Sequence, residues 1–309
     1  MRILVVGAGV IGLSYGWLLS RGHEVSVLAR PQRAEALREG VTVRLRDLAH
    51  GGAVRGGRFT PEVVTEPVEA DLVLVTVDRT HLGEVLGLLA PLAGRAPILL
   101  MLNHWDITAE AGEYLDRADY LLGFPGQVGG GHVSGGVEAA LFARGTVLER
   151  ADRGSAALLG TIERALRGAG LSVRRERDMP GWLAVHYLQQ SVTLGPLLEA
   201  GGYDELVGDR RALQRMVLAL REGVAVCRAR RIAVDRIAPV PLLRLPAGLV
   251  ARGLRRMLAS AETRRMVLAH MGHGRGEWEA GLLEVADTGR SLGVDMPVWE
   301  SYAARLRAQ

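Results

Sequence analysis

The sequence predicts an α/β fold in which a parallel-sheet domain precedes an all-helical domain. Over the first ~175 residues, short β-branched runs alternate with amphipathic stretches, a pattern typical of βα units. A glycine-rich turn follows the first of these runs. From Pro180 onward the strand signals fade and apolar residues recur at the helical period. We therefore place the domains at residues 1–178 and 179–309.

The first strand and turn predict a Rossmann-type dinucleotide site. ILVVG (3–7) has no polar alternation, so we expect a strand buried on both faces, and a helix should run from Gly12 to Arg21. In GAGVIG (7–12), the first glycine permits the tight turn, the second lets a pyrophosphate approach and the third allows close helix packing. The backbone at the helix start then binds phosphate. The expected cofactor contacts here are Gly7, Gly9, Val10, Ile11 and Gly12.

The end of the second strand, EVSVLA (24–29), indicates which cofactor is bound. NAD-binding folds usually place an acidic residue there for the ribose hydroxyls. This sequence has Arg30, eighteen residues after Gly12, with Arg33 close behind. Because a guanidinium suits a 2′-phosphate, we predict NADPH. The alternative is that Arg30 only covers the adenine or faces solvent.

The remaining elements of the first domain follow the same alternation. VTVRLRD (41–47) alternates like a half-buried strand, while DLVLVTV (71–77), PILLML (97–102) and YLLGFP (120–125) indicate further strands. GQVGGGHVSGG (126–136) is predicted to be a loop because of its glycines. The expected helices of this stretch lie at 31–39, 81–92 and 154–169.

Composition excludes several classes of function. All 38 basic residues among the 309 are Arg, so Schiff-base and pyridoxal phosphate chemistry on Lys is impossible. Cys227 is the only cysteine, which favours a reducing cytoplasm. We expect no metal site, no nucleic-acid partner and no membrane span, but a small-molecule substrate. A homodimer remains open.

Several motifs together resemble ketopantoate reductases over nearly the whole chain. Besides GAGVIG they are LLMLN (99–103), LLGFPG (121–126), MPGWLAVH (179–186) and AHMGHGRGEWEAGLLE (269–284). The resemblance implies an NADPH-dependent reduction of a 2-keto acid, with the active site between a Rossmann domain and a helical domain. It also implies a catalytic Lys on the first helix of the second domain, assisted by an Asn and a Glu.

The sequence departs from that family at the catalytic positions. Ala184 stands where the family has its catalytic Lys, and Asp78 stands where it has a second Lys. Asn103, the only Asn of the chain, matches the family Asn near the nicotinamide. Glu277 matches the family Glu, and Ser260 matches its substrate-binding Ser. We expect Ala184, Ser260 and Asp78 to face the substrate, with Ala184 making room for a bulkier or less acidic one.

Two residues are candidates to replace the missing Lys. Tyr187 lies three residues after Ala184 on the same helix face, so it is the nearest proton donor, unless it only packs between the domains. His104 follows Asn103 at the carboxyl end of a strand and is an acid/base candidate, although Asp106 could simply cap a helix there. Asp78 is either a helix cap or a site carboxylate. The predicted catalytic residues are Asn103, Glu277, Tyr187 and His104.

Three functions are compatible with these residues. The first is a ketopantoate-reductase-like enzyme that uses NADPH on a different carbonyl or imine, for example in natural-product biosynthesis. The second is a non-redox enzyme on the same fold, catalysing a cyclisation or an elimination. The third is a cofactor-sensing binding protein. The intact glycine turn favours the first and third, whereas the missing Lys favours the second and third.

Overall fold

The computed structural model describes residues 1–150, 155–273 and 275–308. For residues 269, 270, 272 and 273 it describes the backbone only. The chain divides into two compact units, Met1–Met179 and Pro180–Gln309. The first unit combines strands and helices, and the second is helical in its described residues. The predicted fold class is therefore confirmed.

The strands of the first unit are β1 (Arg2–Val6), β2 (Glu24–Leu28), β3 (Val41–Asp47), β4 (Val54–Phe59), β5 (Glu62–Val64), β6 (Leu72–Val75), β7 (Ile98–Met101), β8 (Tyr120–Phe124), β9 (Val128–Val133), β10 (Gly136–Leu141), β11 (Thr146–Glu149) and β12 (Val173–Glu176). Its helices are α1 (Val10–Leu19), α2 (Pro31–Arg38), α3 (Leu82–Leu89), α4 (Ile107–Ala111) and α5 (Ala156–Gly168), with 3-10 turns at Arg79–His81 and Ala90–Leu92. Residue 154, where the last predicted helix begins, lies outside the described residues.

An eight-stranded sheet forms the centre of the first unit. Its strand order is β12-β11-β8-β7-β6-β1-β2-β5, and all pairs are parallel except β8 with β11. The central strands are buried along their whole length, which explains their continuous apolar runs. The chain moves outward from β1 through β2 to β5 and then crosses back to β6. This reversal beside β1 is the topological switch point where ligands bind in such sheets.

The predicted loop over 126–136 is wrong, because this segment belongs to a second sheet with the order β4-β3-β10-β9. Strands β9 and β10 form a hairpin, and β10 also pairs with β3. The glycines allow the backbones of neighbouring strands to pack closely. A Cβ on Gly130 would lie 2.2 Å from the Glu138 carbonyl oxygen, and one on Gly136 would lie 1.9 Å from that of Thr42. Strand β3 alternates as predicted, with Val43 and Leu45 fully buried.

Helix α1 contacts strands of both sheets, so it is buried around most of its circumference from Gly12 to Leu19. It begins at Val10, two residues before the predicted start. The Tyr15 hydroxyl forms a buried hydrogen bond with Thr146 Oγ1 at 2.6 Å, which joins the helix to β11. Burial raises the pKa of Tyr15 far above its ordinary value. These contacts fix the start of α1 relative to the central sheet.

The second unit consists of α6 (Met179–Ala200), which begins at the boundary, α7 (Tyr203–Gly208), α8 (Arg210–Ala229), α9 (Ala247–Leu258), α10 (Ala261–His273), α11 (Arg275–Ser291) and α12 (Pro297–Arg307), with a 3-10 turn at Val240–Arg244. Side chains hold the helix starts. Asp209 accepts hydrogen bonds from the first N–H groups of α8, and Glu222 accepts them from Val298 and Trp299 at the start of α12.

Candidate functional site

The glycine turn after β1 has the geometry that the sequence motif requires. Gly7 has a φ of +108°, in the region that favours glycine. A Cβ on Gly12 would lie 1.9 Å from the Gly7 carbonyl oxygen and 2.6 Å from Thr76 Oγ1. Beside Gly9, by contrast, a Cβ would meet nothing within 4 Å. Gly12 therefore allows the helix to touch the turn, whereas Gly9 leaves bare backbone facing open space.

The start of α1 offers backbone donors to an anion. Its N-cap is Gly9, which has no side chain to cap the helix, and the helix begins with Val10 and Ile11. The first N–H groups of a helix have no partner within the helix, and its dipole favours negative charge there. With the open space beside Gly9, this end of α1 can hold a phosphate.

Thr76 is a residue of this site that the sequence analysis missed. It directly follows β6, and its hydroxyl donates to the Val6 carbonyl oxygen at 3.0 Å, with the Gly7 carbonyl oxygen at 3.3 Å. The hydroxyl thus ties the glycine turn to the neighbouring strand. Its signal in the sequence was a polar residue immediately after a buried apolar run.

Arg30, His81 and Asp78 form a hydrogen-bonded chain in the first unit. Arg30 follows β2 and is exposed; its Nη1 lies 3.4 Å from His81 Nε2. His81 Nδ1 lies 2.8 Å from Asp78 Oδ1. Because a guanidinium only donates, Nε2 accepts from Arg30 and Nδ1–H donates to Asp78. Arg30 and Asp78 were predicted from the sequence, whereas His81 was not; its signal was its position three residues after Asp78.

Asp78 acts in this structure as a turn cap. Its Oδ1 accepts from the Thr80 N–H at 3.0 Å, at the start of the 3-10 turn that precedes α3. Burial raises the pKa of this carboxyl, but the hydrogen bonds from Thr80 and His81 outweigh it and hold the pKa below its ordinary value. Of the two interpretations of Asp78, the contacts in the structure agree with the helix cap. A role toward substrate stays a prediction.

Asn103 and His104 follow β7 and are buried, with exposed fractions of 9% and 6%. His104 Nδ1 accepts from the Asp106 N–H at 2.9 Å, and its Nε2–H donates to Glu110 Oε2 at 2.6 Å. These bonds hold His104 as the neutral Nε2–H tautomer. An acid/base role for His104 would require one of them to break. Asp106 stands at the N-cap of α4, where its side chain makes no capping bond.

The strand register brings Gly7, Thr76 and Asn103 to one edge of the sheet. Val6 pairs with Val75, and Val75 pairs with Leu100, so the carboxyl ends of β1, β6 and β7 lie side by side. Gly7 and Thr76 follow directly at that level, and Asn103 comes three residues after Leu100. Asn103 is thereby placed at the ligand-binding edge of a doubly wound sheet.

In the second unit, Tyr187 of α6 is paired with a carboxylate that the sequence analysis did not name. Its hydroxyl donates a short hydrogen bond to Glu284 Oε2 on α11, and Tyr187 is 2% exposed. Gly281 permits this approach, because a Cβ there would lie 2.4 Å from Ser191 Oγ and 3.2 Å from the Tyr187 hydroxyl. The two helices thus meet at a tyrosine–glutamate pair.

Glu277 and Glu284 lie on the same face of α11, because residues seven apart return to nearly the same angle. Glu277 is in the first turn of the helix, about 10 Å along the axis from Glu284. The resemblance pointed to Glu277, whereas the hydrogen bond to Tyr187 is made by Glu284. The signal for Glu284 was its position one turn after Gly281.

Ala184 and Ser260 are the other residues of this unit that were predicted to face the substrate. Ala184, one turn before Tyr187, is 1% exposed, so it presents no open surface in this structure. Ser260 precedes α10, and its Oγ accepts from the Thr263 N–H at 3.2 Å and bonds with Thr263 Oγ1 at 2.9 Å. Ser260 therefore caps the start of α10, and its contact with a substrate stays a prediction.

Two features are absent from the part of the chain that the structure describes. In that part of the chain, no group of three or more His, Cys, Asp or Glu side chains is arranged to hold a metal ion. Among the helices described, none is both long and apolar enough to span a bilayer.

A known family model matches most of the first unit. Residues 3–140 match the family model of ketopantoate reductase PanE/ApbA. The matched range includes the glycine turn, Arg30, Asp78, His81 and Asn103. No curated protein sequence is significantly similar to the chain.

Solved structures with the same fold include ketopantoate reductases and a dehydrogenase. A PanE/ApbA family ketopantoate reductase from Ralstonia eutropha JMP134 is 22% identical, with a TM-score of 0.68 over 100% of this chain and 98% of that one. A probable 2-dehydropantoate 2-reductase from Bacillus subtilis is 18% identical, with a TM-score of 0.71 over 100% and 99%. D-mandelate dehydrogenase with NADH and anilino(oxo)acetate is 16% identical, with a TM-score of 0.70 over 100% and 97%.

Proposed function

We propose that the protein, whose residues 3–140 match the family model of ketopantoate reductase PanE/ApbA, is an NADPH-dependent reductase of a carbonyl or imine other than ketopantoate, in specialised biosynthesis. The observation that carries the proposal is the glycine turn, in which Gly12 touches the backbone of Gly7 and Gly9 leaves open space at the switch point of the sheet. A turn that bound nothing would not need both features.

The residues that would hold the cofactor fit its chemistry. The N–H groups at the start of α1 suit the pyrophosphate, and the Arg30 guanidinium suits a 2′-phosphate. Asn103 lies at the same sheet edge, beyond β7, where an amide suits the nicotinamide side. When bound, NADPH supplies the hydride that reduces the C=O or C=N carbon.

The second unit supplies the proposed proton donor. Hydride addition to a carbonyl builds negative charge on oxygen, which a donor must neutralise. Ala184 cannot donate, and the Tyr187 hydroxyl one turn away can. In the structure that hydroxyl donates to Glu284. In the proposed reduction, the same hydroxyl would donate its proton to the substrate oxygen instead.

The substrate is expected to differ from ketopantoate. Ala184 and Asp78 stand where the resemblance implies two Lys residues, so these positions carry no cation that could attract a 2-keto acid. Incubation with NADPH deuterated at the 4-pro-S or 4-pro-R position and a panel of ketones and imines tests the proposal. We expect deuterium in one reduced product and turnover of ketopantoate far below ~1 per second. Cofactor binding without transfer to any substrate would contradict the proposal, as would ordinary turnover of ketopantoate.

Replacing Arg30 with Ala should weaken NADPH binding by about 1.5–3 kcal/mol, because one charge-assisted hydrogen bond to phosphate is lost. NADH binding should stay nearly unchanged, since NADH carries no 2′-phosphate. Fluorescence titration of both cofactors measures the difference, with Arg38→Ala, an exposed Arg in the last turn of α2, as the matched control. Equal affinity of the wild-type protein for both cofactors would contradict the prediction.

A further inference from the structure

We propose that His81 is a second ligand, beside Arg30, for the 2′-phosphate that distinguishes NADPH from NADH, and that Asp78 positions its ring. The inference rests on the proposed function, because it requires a dinucleotide at the glycine turn. It adds a residue that determines cofactor specificity.

The fold places His81 and Arg30 within reach of each other. Arg30 begins the turn after β2, and His81 ends the short turn after β6. Only β1 separates these two strands in the sheet, so the turns are about two strand spacings apart, roughly 10 Å. The two side chains cover that distance, and Arg30 Nη1 lies 3.4 Å from His81 Nε2.

The hydrogen bonds fix which nitrogen of His81 faces Arg30. Nδ1 lies 2.8 Å from Asp78 Oδ1, and Asp78 is itself held by the Thr80 N–H at 3.0 Å. The ring therefore cannot turn freely, and Nε2 is the atom directed at the guanidinium. The His81 side chain is 37% exposed, so Nε2 is next to solvent from which a ligand can approach.

A bound phosphate would stabilise the contact between Arg30 and a His81 ring that carries a proton on Nε2. A proton on Nε2 without an anion would place two cations 3.4 Å apart. A phosphate monoester carries about −1.5 to −2 charges at neutral pH and accepts hydrogen bonds from both groups at once. The hydrogen bond between Nδ1 and Asp78 keeps the ring oriented with Nε2 toward that phosphate. Because the imidazole ring stands between them, the Asp78 carboxylate is kept away from an anion at Nε2.

A second Asp–His pair in the first unit shows what the local turn does by itself. Asp47 and His50 have the same three-residue spacing, with His50 Nδ1 3.1 Å from Asp47 Oδ1. There, Arg55 pairs with the other carboxylate oxygen of Asp47 and not with the imidazole. The His50 side chain is 78% exposed. What is specific to His81 is the guanidinium of Arg30 facing its distal nitrogen.

The test measures binding of NADPH and NADH, with 2′,5′-ADP and 5′-AMP as probes of the phosphate alone. His81→Ala should weaken NADPH and 2′,5′-ADP about 10-fold and change NADH and 5′-AMP less than 2-fold. The double variant Arg30→Ala/His81→Ala should lose less than the product of the single losses, because both residues bind one phosphate. His50→Ala, the matched control, should bind all four ligands like the wild-type protein.

The outcomes separate this inference from the proposed function. A wild-type protein that binds neither cofactor would overturn both. A His81→Ala variant that keeps the full preference for NADPH, or that loses NADH equally, would overturn the role of His81 alone. If His81→Ala does not fold, His81→Gln, which keeps a neutral side chain of similar length, should show an NADPH-specific loss. An unchanged preference in that variant would likewise overturn the inference.

Discussion

Replacing Gly12 with Ala should unfold the protein at a clearly lower temperature and abolish detectable cofactor binding. The new Cβ would lie 1.9 Å from the Gly7 carbonyl oxygen and 2.6 Å from Thr76 Oγ1, so either α1 or the glycine turn must move. Alanine gains about 1 kcal/mol in helix propensity, but overpacking costs about 1–3 kcal/mol or more, and an approach this close to backbone falls at the upper end. The clash therefore wins, and α1 shifts away from the turn that holds the phosphates.

Two glycines provide controls for this prediction. Gly168 is the last residue of α5, and a Cβ there meets nothing within 4 Å, so Gly168→Ala should leave both stability and binding unchanged. Gly9 is equally open, so Gly9→Ala should fold like the wild-type protein while its methyl group obstructs the pyrophosphate. Thermal unfolding and NADPH titration measure the two effects. A Gly12→Ala variant with wild-type stability and affinity would show that the turn is misinterpreted.

The parallel sheet and its glycine turn were predictable because their signals are local. Each buried strand is a short apolar run, and the turn GAGVIG lies between the first run and its helix. The hairpin at 128–141 was not predicted, since glycines that permit close strand packing look the same in sequence as glycines in a loop. The four-stranded sheet depends on pairing between distant segments, such as β3 with β10. No local pattern reveals that pairing.

The candidate sites show the same limit. Arg30 was predictable because its distance from the glycine turn is set along one βαβ unit. Its neighbour His81 was not, because their contact depends on the order of β2, β1 and β6 in the sheet. In the second unit, sequence alone puts Glu277 and Glu284 on one helix face. The hydrogen bond from Tyr187 to Glu284, made where Gly281 allows the helices to approach closely, is seen only in the structure.

Replacing Tyr187 with Phe should lower turnover of a carbonyl substrate by 10²–10⁴-fold, which is the usual contribution of a positioned acid. Binding of NADPH should change little, since its predicted contacts belong to the first unit. The side chain is 2% exposed and loses only its hydroxyl, so the packing of α6 is preserved. Steady-state kinetics on the true substrate, together with cofactor titration, separate the two effects.

Tyr203→Phe is the matched control for Tyr187→Phe. Tyr203 is also buried in the second unit, at 7% exposed, and its hydroxyl donates to the Leu258 carbonyl oxygen at 2.7 Å. Both substitutions remove one buried hydroxyl from a hydrogen bond, which costs about 1–3 kcal/mol of stability. Only the loss of Tyr187 should change turnover beyond what stability explains. Equal, small losses in the two variants would assign Tyr187 a purely structural role.

The size of the Tyr187→Phe effect also depends on the bond that is reduced. A carbonyl needs a proton on oxygen, whereas a protonated imine already carries one and loses its charge when hydride arrives. For an iminium substrate we therefore expect Tyr187→Phe to cost much less than 10²-fold, and Glu284→Ala to cost more, because the carboxylate would stabilise the cation. For a carbonyl substrate we expect the reverse, with Tyr187→Phe costing more than Glu284→Ala. Glu284→Gln should then keep most of the activity, because its amide can donate to the Tyr187 oxygen. Wild-type turnover in Tyr187→Phe, Glu284→Ala and Glu284→Gln would exclude this pair from the chemistry with either substrate.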